Sequence, residues 1–229
     1  MAPTVISIEG RATISKLAER AALLVNVADT GPDKTLVSSN VVNTVNNLQS
    51  ELEALCPRLE NNDISPEAPV SFYSIATLST TSEDEYDSDD KRTGRTLYTA
   101  KTTIDVRFRD FKKLGTMVVH LSTLPFVHLQ GVTWKLTDQT QDKLDEEARM
   151  EALRGAIRRA NAYAAVIGRE KVTPVKIQDD QEYYPRAKTK QTARMLSSAP
   201  VFGLGVGIDF EPQIIEVSAT LQVEFHAEY

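Results

Sequence analysis

Five alanines, at positions 148, 152, 156, 160 and 164, recur every four residues in the stretch Asp145 to Val175, DEEARMEALRGAIRRANAYAAVIGREKVTPV. That spacing places them on one face of a helix. Side chains this small let a long helix lie close against a sheet. Leu153, Ile157 and Ile167 flank the stripe, Gly168 stops it, and a short β-prone run follows. The stripe offers no nucleophile, no metal ligand and no phosphate loop. It predicts an α+β packing scaffold rather than a catalytic framework.

The rest of the chain reads around that helix. Thr4 to Glu9 alternates as a strand with Ile6 and Ile8 on one face, and Gly10 reads as its punctuation. Arg20 to Ala28 reads as a second strand. A turn at Asp29 to Asp33 leads into a helix, with Pro32 near its first position. Val41, Val45, Leu48, Leu52 and Leu55 give that helix a core-facing stripe. Two heptads of such spacing are too few for a coiled coil. Pro57 ends the helix, and Val70 to Thr80 reads as a strand.

Leu97 to Arg109 alternates most cleanly. Tyr98, Ala100, Thr102, Ile104, Val106 and Phe108 face one way, and polar residues face the other. Asp110 is an N-cap for a short helix with Phe111, Leu114, Val118 and Leu121 as its buried stripe. Val127 to Leu136 reads as a strand, and Asp138 with Gln141 as a capping box before the alanine helix. Val172 to Gln178 and Ile215 to Phe225 complete the strands. The expected fold is α+β, mainly antiparallel sheet with three helices on one face, in the order β-β-α-β-β-α-β-α-β-β. A single domain over 1–229 is expected, with room for two lobes meeting near residue 110. Mobile loops are expected at about 80–96 and 179–212.

Composition excludes several roles. The 229 residues are 41% hydrophobic and 25% charged, an ordinary globular balance. A net charge of −6 argues against nucleic acid as a partner. No run approaches the ~18 apolar residues of a membrane span. MAPTVISIEG has neither a basic nor an apolar leader segment, and the single cysteine forms no internal disulfide. A cytoplasmic location is the expectation.

No candidate site reaches catalytic pattern, and no cofactor or metal is expected. Cys56 falls at a helix C-terminus, where the dipole disfavours a thiolate, so it reads as packing. His120, His128 and His226 have no metal-ligand spacing. Gly203, Gly205 and Gly207 resemble a phosphate loop, but Ile208 stands where the dinucleotide motif needs its third glycine. Glu83 to Asp90 is acidic, and Lys91 breaks a calcium-loop series. Ser82, followed by Glu83-Asp84-Glu85, reads as an acidic-directed phosphorylation site. Ala187 to Arg194, AKTKQTAR, resembles a core histone tail. Lys188, Lys190 and Arg194 therefore read as a partner-binding loop, with Lys190 offered to an aromatic cage.

The whole pattern resembles the SIMPL domain family, whose function is unknown. The resemblance rests on Ile6-Ser7-Ile8-Glu9-Gly10, Tyr98-Thr99-Ala100, Val106 to Phe111, Gly131-Val132 and Leu136-Thr137-Asp138. It is best over Glu147-Ala148, Ala152-Leu153, Ala156, Ala160, Ala164 and Gly168. Pro212 and Val217 to Phe225 resemble the closing strand. Ala18-Glu19 stands where the family usually has Pro-Asp. The resemblance implies no catalytic residues. It implies relatives in the bacterial envelope, links to oxidative stress, ring-like or channel-like homo-oligomers and, in an animal namesake, binding to a signalling kinase. The expected role is therefore non-enzymatic, as a self-assembling structural or scaffold protein. The alternative is a stress- or signalling-linked adaptor that binds a partner through its charged loops.

Overall fold

A computed structural model describes residues 4–86, 88–179 and 208–228. Among them the elements run β1 (Thr4–Leu17), β2 (Arg20–Gly31), α1 (Lys34–Leu55), β3 (Val70–Ile75), β4 (Ser79–Tyr86), β5 (Arg92–Phe108), α2 (Phe111–Leu121), β6 (Val127–Lys135), α3 (Asp138–Val166), β7 (Lys171–Asp179) and β8 (Ile214–Glu228). The fold is α+β and the elements follow the expected order. The stretch expected as one strand and a hairpin connection is drawn as β3 and β4. Every strand pairing is antiparallel.

Two compact units divide the chain. Among the described residues their boundaries fall at Ala18/Glu19, Lys135/Leu136 and Pro212/Gln213, not near residue 110. Asp110 lies inside the second unit as the N-cap of α2, its carboxylate accepting from the Lys112 and Lys113 amides at 2.9 and 3.1 Å.

The first unit is a three-stranded sheet, β1-β8-β7, with α3 across one face. β1 and β8 pair without a break from Thr4↔Ala227 to Leu17↔Ile214. Ile8, Leu221, Val223 and Phe225 form a core with Ala152, Ala156 and Ala160, all at most 5% exposed. Each buried methyl contributes roughly 0.8 kcal/mol. Gly10 does not punctuate β1, because the strand runs on to Leu17. A side chain there has no room: a Cβ would meet the Ala152 carbonyl oxygen at 2.3 Å.

Thr137, rather than Asp138, caps α3. Its hydroxyl accepts from the Thr140 amide, and Gln141 reaches forward to Asp145 instead of back to a cap. Asp138 is the first helical residue, where its charge suits the positive end of the dipole. At the other end Gly168 sits at φ +71°, and the Arg169 amide donates to the Ala164 carbonyl at 2.9 Å. The Gly168 amide donates to Ala165, which completes a Schellman stop.

The second unit is a five-stranded sheet, β3-β5-β2-β6, with β4 pairing along β5. α1 and α2 cover the face carrying Leu23, Val25, Val27, Ile104, Val106 and Phe108, each at most 2% exposed. Asp33 caps α1, with Pro32 just ahead of the helix. Val37, Val41, Leu48 and Leu52 are its buried residues. In α2, Met117 takes the buried place expected for Val118. Phe111 meets Trp134 edge to face, with ring centroids 5.0 Å apart.

Candidate functional site

Of the segment expected as a mobile loop at 80–96, residues 80–86 lie in β4 and residues 92–96 in β5. β4 and β5 form a ribbon from Ser79↔Lys101 through Asp84↔Thr96 to Tyr86↔Arg92. Its pairing partners lie within one hairpin, yet its side chains are mostly polar, so the sequence looks like a loop. β2 begins to pair with β5 only at Gly31↔Tyr98. Residues 92–97 therefore pair with β4 alone, and β4 pairs with β5 alone. The ribbon is largely exposed along both strands.

Its charges are sorted by strand. Glu83, Asp84 and Glu85 lie on β4, and Arg92 and Arg95 on β5. Arg92 pairs with Asp84 at 3.2 Å and also donates to the Tyr86 hydroxyl at 3.4 Å. Thr93 donates to the Glu85 carboxylate at 2.8 Å. Gly94, at φ +81°, sits where the register shifts. Glu83 and Asp84 point to opposite faces, because side chains alternate along a strand, and Glu85 sits at the register shift. A calcium loop needs them to converge. Ser82 is exposed on β4, opposite Tyr98.

The sheet edges differ in how they are guarded. Among the described residues β1 pairs only with β8, so no described strand covers its outer edge. Arg159 of α3 reaches over to donate to the Glu9 carbonyl there at 2.9 Å. At the opposite edge, β7 carries Pro174 and a register shift between Pro174 and Lys176. Both devices obstruct further strand pairing.

The other expected candidates are dispersed. Cys56 is 3% exposed, and its thiol donates to the Val70 carbonyl at 3.5 Å. Burial pushes that thiol up from its usual range, so it is not poised as a nucleophile. His120 on α2 meets Glu51 on α1 at 3.1 Å. That contact borders a small apolar crevice between Leu48, Leu52, Met117 and Leu121. His128 and His226 lie on β6 and β8, so the histidines do not form one cluster. Lys188, Lys190, Arg194 and the Gly203–Gly207 run lie outside the described residues.

One feature escaped the sequence reading. Ala21 pairs with Phe108, and Arg20 with Lys135. Arg20 and Lys135 thereby stand opposite each other on β2 and β6, and Arg109 follows directly after the end of β5 at Phe108. Arg107, opposite Ala22, lies in the adjoining row. No local pattern reveals this, because the register joins residues about 90 apart in sequence. Alternation did place Arg107 and Arg109 on the polar side of their strand.

No helix among the described residues is long and apolar enough to cross a membrane. The SIMPL family profile, described as a protein of unknown function (DUF541), matches residues 6–225. The chain belongs to the SIMPL family. No curated protein matches it.

Proposed function

We infer that the protein acts by assembling with copies of itself, as a non-enzymatic structural or scaffold protein. The ribbon carries this reading. A two-stranded ribbon exposed on both faces is marginal alone, and open edges favour another strand as cover. Its charges also select the kind of contact. Two β4 edges brought together would place Glu83, Asp84 and Glu85 against like charges. β4 of one copy against β5 of the next places them against Arg92 and Arg95. Such a head-to-tail contact repeats until it closes or runs on.

Size-exclusion chromatography with light scattering tests the reading. A mass at a clean multiple of 25.4 kDa supports it. A strict monomer at 100 µM overturns it. Ser82 supports a second reading, as an adaptor regulated by modification, because its hydroxyl is exposed beside Glu83 and Asp84. Phosphopeptide mapping of native material that never finds Ser82 modified removes that reading.

A further inference from the structure

Residues 208–212 lead the chain into β8, yet they group with the second unit rather than with the sheet that β8 joins. The chain passes from one unit to the other at the Pro212–Gln213 peptide bond. What holds 208–212 is visible on α2. Gly115 is buried in the middle of that helix. A Cβ on Gly115 would run into the Ile208 carbonyl, standing 3.0 Å from its carbon and 3.5 Å from the Ile208 nitrogen. The backbone of Ile208 therefore lies directly on the helix. The Ile208 side chain is not the anchor, because it is 52% exposed. Glycine in a helix interior weakens the helix. α2 carries one at the point where another piece of backbone needs the room.

The chain is fixed again soon afterwards. The Gln213 carbonyl accepts from the Ala18 amide at 2.9 Å. Ile214 then pairs with Leu17, the last pair of the β1–β8 ladder. Only Asp209, Phe210, Glu211 and Pro212 separate the seat on α2 from that fixed point. A link this short, ending in proline, has few conformations to explore. The far end of β8 is held differently. There the Glu170 amide donates to the Glu228 carbonyl at 3.1 Å, and Thr4 pairs with Ala227.

We propose that residues 208–212 act as a strap, seated on α2 at Gly115, that holds the first residues of β8 in register. Lifting Ile208 from Gly115 frees the Leu17↔Ile214 end of the ladder and leaves the Thr4↔Ala227 end paired. A shift of α2 beneath Ile208 is thereby passed along the chain to the start of β8. The device is separate from the ribbon and does not depend on self-assembly.

Amide hydrogen exchange on the full chain, resolved by NMR, tests it. Ala18 reports the strap end of the ladder and Glu170 the far end. By helix propensity alone, Gly115→Ala would steady α2. With Ile208 seated there, the added methyl lifts the strap instead. The Ala18 amide is expected to exchange about tenfold faster or more, with Glu170 at its wild-type rate. Pro212→Gly loosens the link without touching α2 and should speed Ala18 in the same way. The two changes together add little to either alone, because both release one restraint. Ile104→Val is a mild change elsewhere in the second unit's core and should leave Ala18 at its wild-type rate. An unchanged Ala18 rate in folded Gly115→Ala overturns the proposal. So does equal acceleration at Ala18 and Glu170, or the same acceleration of Ala18 in Ile104→Val. If Gly115→Ala does not fold, the Ala18 rate in Pro212→Gly decides by the same criteria.

Discussion

Gly10 of β1 faces the backbone carbonyl of Ala152 on α3, so closely that a Cβ on Gly10 would stand 2.3 Å from that oxygen. The alanine stripe supplies only half of this approach. The helix backbone reaches the sheet because the strand also gives up a side chain at the point of contact. Gly10→Ala therefore forces α3 outward and strains a packed core. The expected loss is about 2–3 kcal/mol, read as a lower denaturant midpoint. A midpoint matching the wild type would mean that the helix yields without cost.

Gly168 needs to be glycine for a different reason. It has open space around its Cα but sits at φ +71°. Gly168→Ala is expected to cost about 1 kcal/mol through the backbone alone. Gly168→Asn should recover part of that, because asparagine tolerates the left-handed region. Equal losses for alanine and asparagine would show that packing, not φ, fixes this position.

Cys56 gives a pH dependence of defined sign. Burial raises its folded thiol pKa above the unfolded value. Its contribution is fully present below the unfolded pKa. It is lost as pH rises from there through the folded value, because the unfolded chain ionises first. Unfolding free energy should therefore fall as pH rises above about 8.5. Cys56→Ser, which does not ionise in that range, should flatten this part of the profile. An unchanged alkaline slope in the variant would remove Cys56 as its source. Thiol reagents should label native Cys56 only through opening of the structure.

Charge reversal on the ribbon tests the head-to-tail contact separately from assembly itself. Glu83→Lys with Glu85→Lys gives a chain whose ribbon is basic on both strands. Arg92→Glu with Arg95→Glu gives one that is acidic on both. Each alone should fall to a smaller mass in light scattering, and an equimolar mixture should reassemble. Assembly that persists in both separate variants would place the interface elsewhere and leave the broader reading standing.

The parts of the fold set by short-range pattern were legible in the sequence. The alternation of Leu97 to Arg109 identified the buried face of β5, and the spacing from Ala148 to Ala164 identified the face of α3 that packs. Asp110 was readable as a cap because its partners lie two and three residues on. What failed depended on distant backbone. Gly10 looks like a turn glycine until Ala152 is beside it. The ribbon looks like a loop because neither β4 nor residues 92–96 of β5 carry an apolar face. The pairing of Arg20 with Lys135 exists only once β2 and β6 are in register. Two lobes were allowed for near residue 110, but where the units divide is hidden by chain order: β1 belongs with β8, more than 200 residues on.

That last pairing sets an order of events during synthesis. Residues 19–135 carry all the strands of the five-stranded sheet and both of its helices, so that sheet can close once they leave the ribosome. β1 emerges before any of them, but β8 is its only sheet partner among the described residues. It must wait, unpaired, until Ile214–Glu228 has been made. From the synthesis of Thr4–Leu17 until that of Ile214–Glu228, the nascent chain thus carries β1 as an unsatisfied hydrogen-bonding edge, exposed to misplaced strand pairing.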